Sequence, residues 1–110
     1  MSEQPDRWLV IKITPNDNSP VEYKIFASWY GSYLGSSSWR LNSGIKSVVL
    51  ENDTYVFTGH SGSKYLCHKN SYGNTGYGAG VLANMIEKTK SLASVEIMDE
   101  NTVWTEIAYS

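Results

Sequence analysis

The chain has one cysteine, three prolines, two histidines and no long apolar run, and each scarcity removes a class of explanation. A lone Cys67 permits no intramolecular disulfide and no four-cysteine zinc site, so packing must hold the core. The longest unbroken apolar stretch is residues 8–11, far short of the roughly 20 residues that a membrane-spanning helix needs. Charge of one sign is also lacking: nine basic residues stand against eleven acidic ones, for a formal charge of −2, and only Lys88 and Lys90 cluster. A nucleic-acid partner therefore gets no electrostatic support. The first residues lack the basic start, apolar centre and small-residue cleavage site of a secretory signal, so a cytoplasmic location is expected.

What is present fits one folded unit. The 110 residues are 41% hydrophobic and 18% charged, too apolar for a disordered chain, and the length suits a single compact domain over residues 1–110 with residues 1–6 as a flexible lead. Trp8, Leu9, Val10, Ile11 and Ile13 predict a strand, closed by a polar turn at residues 14–20. Val21, Tyr23, Ile25, Ala27 and Trp29 then alternate with mostly polar neighbours, the period-two pattern of a strand with one buried face. After a small, polar loop at residues 31–38 and a short strand at 39–41, three strands at 46–51, 54–59 and 64–69 form a meander, its first turn made by Asn52 and Asp53.

Residues 70–80 are glycine-rich and read as a loop. Leu82, Met85, Ile86, Thr89 and Leu92 then recur at helical spacing, which predicts one amphipathic helix near residues 79–92. Residues 95–97 and 103–107 complete the order as a final hairpin. The fold expected is α+β: a curved antiparallel sheet of six to seven short strands, a meander or half-barrel, packed on that helix.

The chemistry-bearing residues are few. Cys67 and His68 are adjacent, so on a strand they point to opposite faces and cannot act as nucleophile and base together. Residues 59–63 do not read G-x-S-x-G, and no histidine and cysteine spacing matches a metal site, so no catalytic residue, metal or cofactor is assigned. The turn at 60–64 and the loop at 73–80 could together hold an anionic, nucleotide-like molecule, through His60, Ser61, Ser63, Lys64, Gly76 and Gly78 with Tyr72 or Tyr77 stacking on a base. Neither segment matches a phosphate-binding fingerprint, and the glycines have a plainer use in letting the chain turn and the helix approach the sheet.

Aromatics are plentiful, with four tryptophans and eight tyrosines. Tyr30, Tyr33 and Tyr77 fall in or beside loops, where an aromatic side chain covers a large area at small entropic cost. With Leu34 they form the expected partner-binding set. The leading functional expectation is a small non-catalytic protein that occupies a protein partner, as an inhibitor or adaptor of the kind common among mobile-element proteins. Binding of an anionic small molecule is the alternative, and pairing of two copies through an exposed sheet edge would make a homodimer.

Overall fold

A computed structural model of the chain describes residues 2–31 and 37–109. Its strands are β1 (Ser2–Glu3), β2 (Arg7–Pro15), β3 (Glu22–Trp29), β4 (Ser38–Leu41), β5 (Ile45–Glu51), β6 (Thr54–Gly59), β7 (Lys64–His68) and β8 (Ala93–Ile97), with the helix α1 (Gly76–Thr89) between β7 and β8. The class is α+β, as the element order implies. The strands form two four-stranded sheets, ordered β4-β3-β2-β8 and β1-β7-β6-β5, in place of the single curved sheet expected from sequence.

The split follows from which faces are apolar. On β2, Trp8 and Val10 point one way and Leu9 and Ile11 the other, and all four are buried. Trp8 and Val10, with Ile25 and Ala27 of β3, pack on Phe57, Tyr65 and Cys67 of the second sheet. Leu9, Ile11 and Phe26 pack on Leu82 of α1. A strand covered on both faces reads as a continuous apolar run, which is why residues 8–11 do. For β3 the expectation of one buried face is corrected: Ile25, Phe26, Ala27 and Ser28 are all fully buried, because that half of the strand is sandwiched between the helix and the second sheet.

The β5-β6-β7 meander and the β2-β3 hairpin match the sequence pattern. Asn52 takes a φ of 57° in the β5-β6 turn, a left-handed conformation that asparagine tolerates. Three segments differ. Residues 2–6 are ordered rather than a loose lead: β1 pairs in parallel with β7, and the Asp6 N–H donates to the Ser28 carbonyl at 3.1 Å. The helix begins at Gly76 instead of near 79, since the Thr75 hydroxyl accepts from the Gly78 N–H at 2.9 Å and caps it. The final hairpin is absent among the described residues. β8 pairs with β2 instead, and residues 104–106 form a 3₁₀ turn that drives Trp104 into the core.

One aromatic knot joins the layers. The Trp8 ring meets Tyr72 edge-on at 4.7 Å between centroids and also touches Tyr55, Phe57 and Trp104. Its indole N–H donates to the His68 carbonyl at 2.8 Å, a bond from the first sheet to the end of β7. The Tyr72 hydroxyl accepts from the Val10 N–H and donates to the Met98 carbonyl, so one side chain ties the chain after β7 to β2 and to the exit of β8.

Burial pushes the Tyr72 hydroxyl up to about 12 from an ordinary value near 10, against the smaller opposing effect of the Val10 N–H. Burial also raises Tyr65 and Tyr109. A pKa raised in the folded state means the unfolded chain loses its proton first. Stability from Tyr72 is thus complete below about 10 and lost as pH climbs through about 12. Tyr72→Phe should flatten that alkaline loss and cost about 1–3 kcal/mol at neutral pH by orphaning the Val10 N–H, both readable from urea unfolding.

Candidate functional site

Several exposed aromatic side chains stand around Ser28, a buried residue of β3. This buried serine donates to the Asn74 side chain at 3.0 Å and accepts from the Thr75 N–H at 3.4 Å, so it fixes where α1 starts over the sheet. A methyl group added at Gly78 would lie 2.2 Å from Asn74 Oδ1 and 3.1 Å from Ser28 Cβ, so the helix can sit this close only because residue 78 is glycine. Gly76 and Gly80 have open space where a Cβ would stand.

Large aromatics surround this point. Trp39 of β4 is the cross-strand partner of Ser28, stacks on Phe26 at 5.5 Å with planes 6° apart, and is 38% exposed. Tyr77 precedes Gly78 and is 52% exposed. Tyr30 leaves the end of β3 at 56% exposure, held by its N–H donating to Asp6 at 2.9 Å and by its hydroxyl accepting from Arg7 Nε at 3.2 Å. Between β4 and the helix runs a groove of about 300 Å³ lined by Trp39, Val81, Asn84, Met85, Lys88 and Thr89. Tyr77, Val81 and Met85 follow at four-residue spacing and so share one face of α1.

Tyr77 shares the helix face of Val81 and Met85, and Tyr30 follows Ser28 by two residues just beyond β3. Tyr33 and Leu34 lie outside the described residues. Trp39 was missed by sequence reasoning, because a four-residue strand gives too short a pattern to show which side chain faces out.

The anion-binding set is not brought together. His60, Ser61, Ser63 and Lys64 lie at the β6-β7 turn of one sheet, whereas Gly76, Tyr77 and Gly78 lie in the first turn of a helix covering the far face of the other. Among the described residues, none of the four main cavities is lined by residues of both segments. Tyr72 lies apart from both segments: its ring packs against Trp8 and Trp104, and its hydroxyl is engaged by the Val10 N–H and the Met98 carbonyl. Residues 76–80 of the expected phosphate-facing loop are helical, and Gly78 serves the approach of helix to sheet.

The β6-β7 turn has its own order. The Ser61 N–H donates to the Ser43 hydroxyl at 3.0 Å, and the Ser43, Ser61 and Ser63 hydroxyls form a chain with spacings of 3.2 and 3.4 Å. Beside it Asn42 Oδ1 accepts from the Ile25 and Gly44 N–H groups, which fixes the amide at the corner between the sheets and leaves its buried Nδ2 without a partner among the described residues.

A polar cleft of about 490 Å³ lies elsewhere, lined by Gln4, Pro5, Asp6, Thr54, Leu66, His68 and Ser71. His68 Nδ1 accepts from the Asn70 N–H at 3.1 Å, so a neutral imidazole carries its proton on Nε2. Cys67 points the other way, into the core, where burial pushes its thiol well above the ordinary range. Among the described residues no three His, Cys, Asp or Glu side chains converge as a metal-binding set.

The two glycines give opposite expectations. Gly78→Ala should destabilise the fold by about 1–3 kcal/mol, because Asn74 must leave Ser28, whereas Gly80→Ala should stabilise it by about 0.5–1 kcal/mol. Thermal and urea melts of both variants check the signs. Cys67 should stay silent to a thiol reagent in the folded protein and react only on unfolding, and rapid modification under native conditions would contradict its burial. Compared with protein-family models, with curated proteins and with solved structures, the chain finds no match.

Proposed function

We propose that the protein is a non-catalytic binding module that docks a protein partner on the face formed by Trp39, Tyr77, Val81 and Met85, with Tyr30 at its end. The observation that carries this reading is the placement of Trp39 and Tyr77. Trp39 lines an apolar groove and Tyr77 stands one helical turn before Val81 of its lining, and both rings keep much of their surface open. Burying such rings supplies area and edge contacts at little entropic cost, and groups of this type dominate binding energies. The scaffold beneath is stiff, since Trp39 lies flat on Phe26 and the helix start is fixed by Ser28, Asn74 and Thr75.

The chemistry of the remaining groups favours binding over turnover. The one thiol is buried, the turn serines bond to one another, and His68 and Cys67 face opposite sides of β7. A small inhibitor or adaptor is the form of action that such a surface suits.

The test is affinity capture from lysate, followed by a binding titration of the captured protein against wild type, Trp39→Ala and Tyr77→Ala. The expected result is a loss of about 2 kcal/mol or more for each variant, which is near thirtyfold in affinity. A partner that binds both variants as tightly as wild type would place the interface elsewhere and overturn this reading.

A further inference from the structure

Of the four sheet edges, three carry features that discourage pairing with another strand and one does not. β1 has two residues. β4 has four, and its Arg40 is engaged with Glu3 at 3.2 Å. β5 carries Lys46 and Glu51, has an irregular register between Ile45 and Ser47, and faces residues 105–109 across a shared cleft. β8 is five residues long with a regular register to β2, and it has a single charge, Glu96, no proline and no bulge. Short length, charge, irregularity and cover are the usual protections of an edge, and of these β8 has only the one charge.

The open side of β8 also presents backbone groups without a partner strand. The Met98 N–H donates to the Val10 carbonyl at 2.9 Å, and in the same phase Glu96 and Ser94 lie opposite Lys12 and Thr14. Alternation then turns the N–H and C=O groups of Ala93, Val95 and Ile97 outward. Among the described residues no backbone group bonds to them. At the two ends of the strand stand Leu92, 71% exposed, and Ile97, 49% exposed.

We infer that β8 is a homodimer edge, at which two copies join their β4-β3-β2-β8 sheets by antiparallel pairing of β8 with β8 about a two-fold axis at Val95. A two-fold axis perpendicular to the sheet keeps inward residues opposite inward residues, so only registers that pair odd positions with odd positions use the open groups. Centring on Val95 pairs all three outward residues: Val95 with Val95, and Ala93 with Ile97 in both directions, each pair exchanging two backbone bonds. Shifting the centre to Ser94 or Glu96 leaves one of those pairs unmade. The same register sets Ser94 across from Glu96, a hydroxyl beside a carboxylate, and puts no like charges directly opposite. It also sets Leu92 of one copy across from Met98 of the other on one face, and Ile97 across from Ala93 on the opposite face, so each exposed apolar side chain gains an apolar neighbour. β4 lies at the other edge of this sheet, so the inference does not depend on the Trp39 face and leaves both copies of that face open.

Native mass spectrometry and sedimentation of the whole chain should show a dimer, and Ile97→Lys should weaken it by about tenfold or more, with circular dichroism confirming that the variant is folded. A second variant reads the register without disturbing the core. Ser94→Cys with Glu96→Cys should give a covalent dimer on mild oxidation, because directly opposite positions bring the thiols together, while buried Cys67 stays silent. A monomer at every concentration, or a dimer that survives Ile97→Lys and does not cross-link, would overturn the assignment.

Discussion

The arrangement rests on β2 being buried on both faces, with Trp8 at its most crowded point. Burying an indole of this size removes 150–250 Å² of surface from water, on the order of 5 kcal/mol at the usual area coefficient. The ring also has a polar edge that must be satisfied, and its N–H meets the His68 carbonyl at 2.8 Å. That bond sets the height at which the second sheet lies on the first. Tyr72 then closes the remaining side of the indole and uses its hydroxyl on two backbone groups of the first sheet region. Because Tyr72 is four residues before the helix, the position of α1 follows from the same knot.

Much of this was legible where one face of an element meets water. β5, β6 and β7 carry alternating patterns because the outer face of their sheet is open, and the Asn52 turn announced itself by residue type. The helix core residues Leu82, Met85 and Ile86 were equally plain. The start of the helix was not, since three glycines within its first five residues argue for a loop on propensity alone. Thr75 capping and the Ser28 contact override that propensity, and both depend on residues distant in sequence.

The division into two sheets was hidden for a different reason. The chain leaves one sheet at Leu41 and enters the other at Ile45, and the corner is made by Asn42, whose side-chain oxygen takes the place of a strand partner for Ile25. Nothing local marks Asn42 as a crossing point rather than a turn. The partner of the last strand is hidden in a similar way. Residues 93–97 have a strand pattern, but the choice of β2 over residues 103–107 as partner is settled by Trp104, whose burial in the knot takes the following segment away from β8. As for the candidate site, Tyr30 is legible as an aromatic beside a loop, Tyr77 reads as a loop residue but lies in the first turn of α1, and Trp39 stands out only with Phe26 stacked against it.

These constraints also explain why the exposed apolar groups lie where they do. The first sheet is the middle layer, and its two faces are consumed by the helix and by the second sheet, so any further contact must use its edges. At the β4 edge the sheet ends in an aromatic ring that overhangs a groove, a shape that suits an irregular surface on a partner. At the β8 edge it ends in a regular ladder with small and branched side chains, a shape that suits another strand of the same kind. A strand edge recognises backbone and a groove recognises side chains. The two proposed contacts thus draw on different chemistry and lie at opposite edges of the middle sheet.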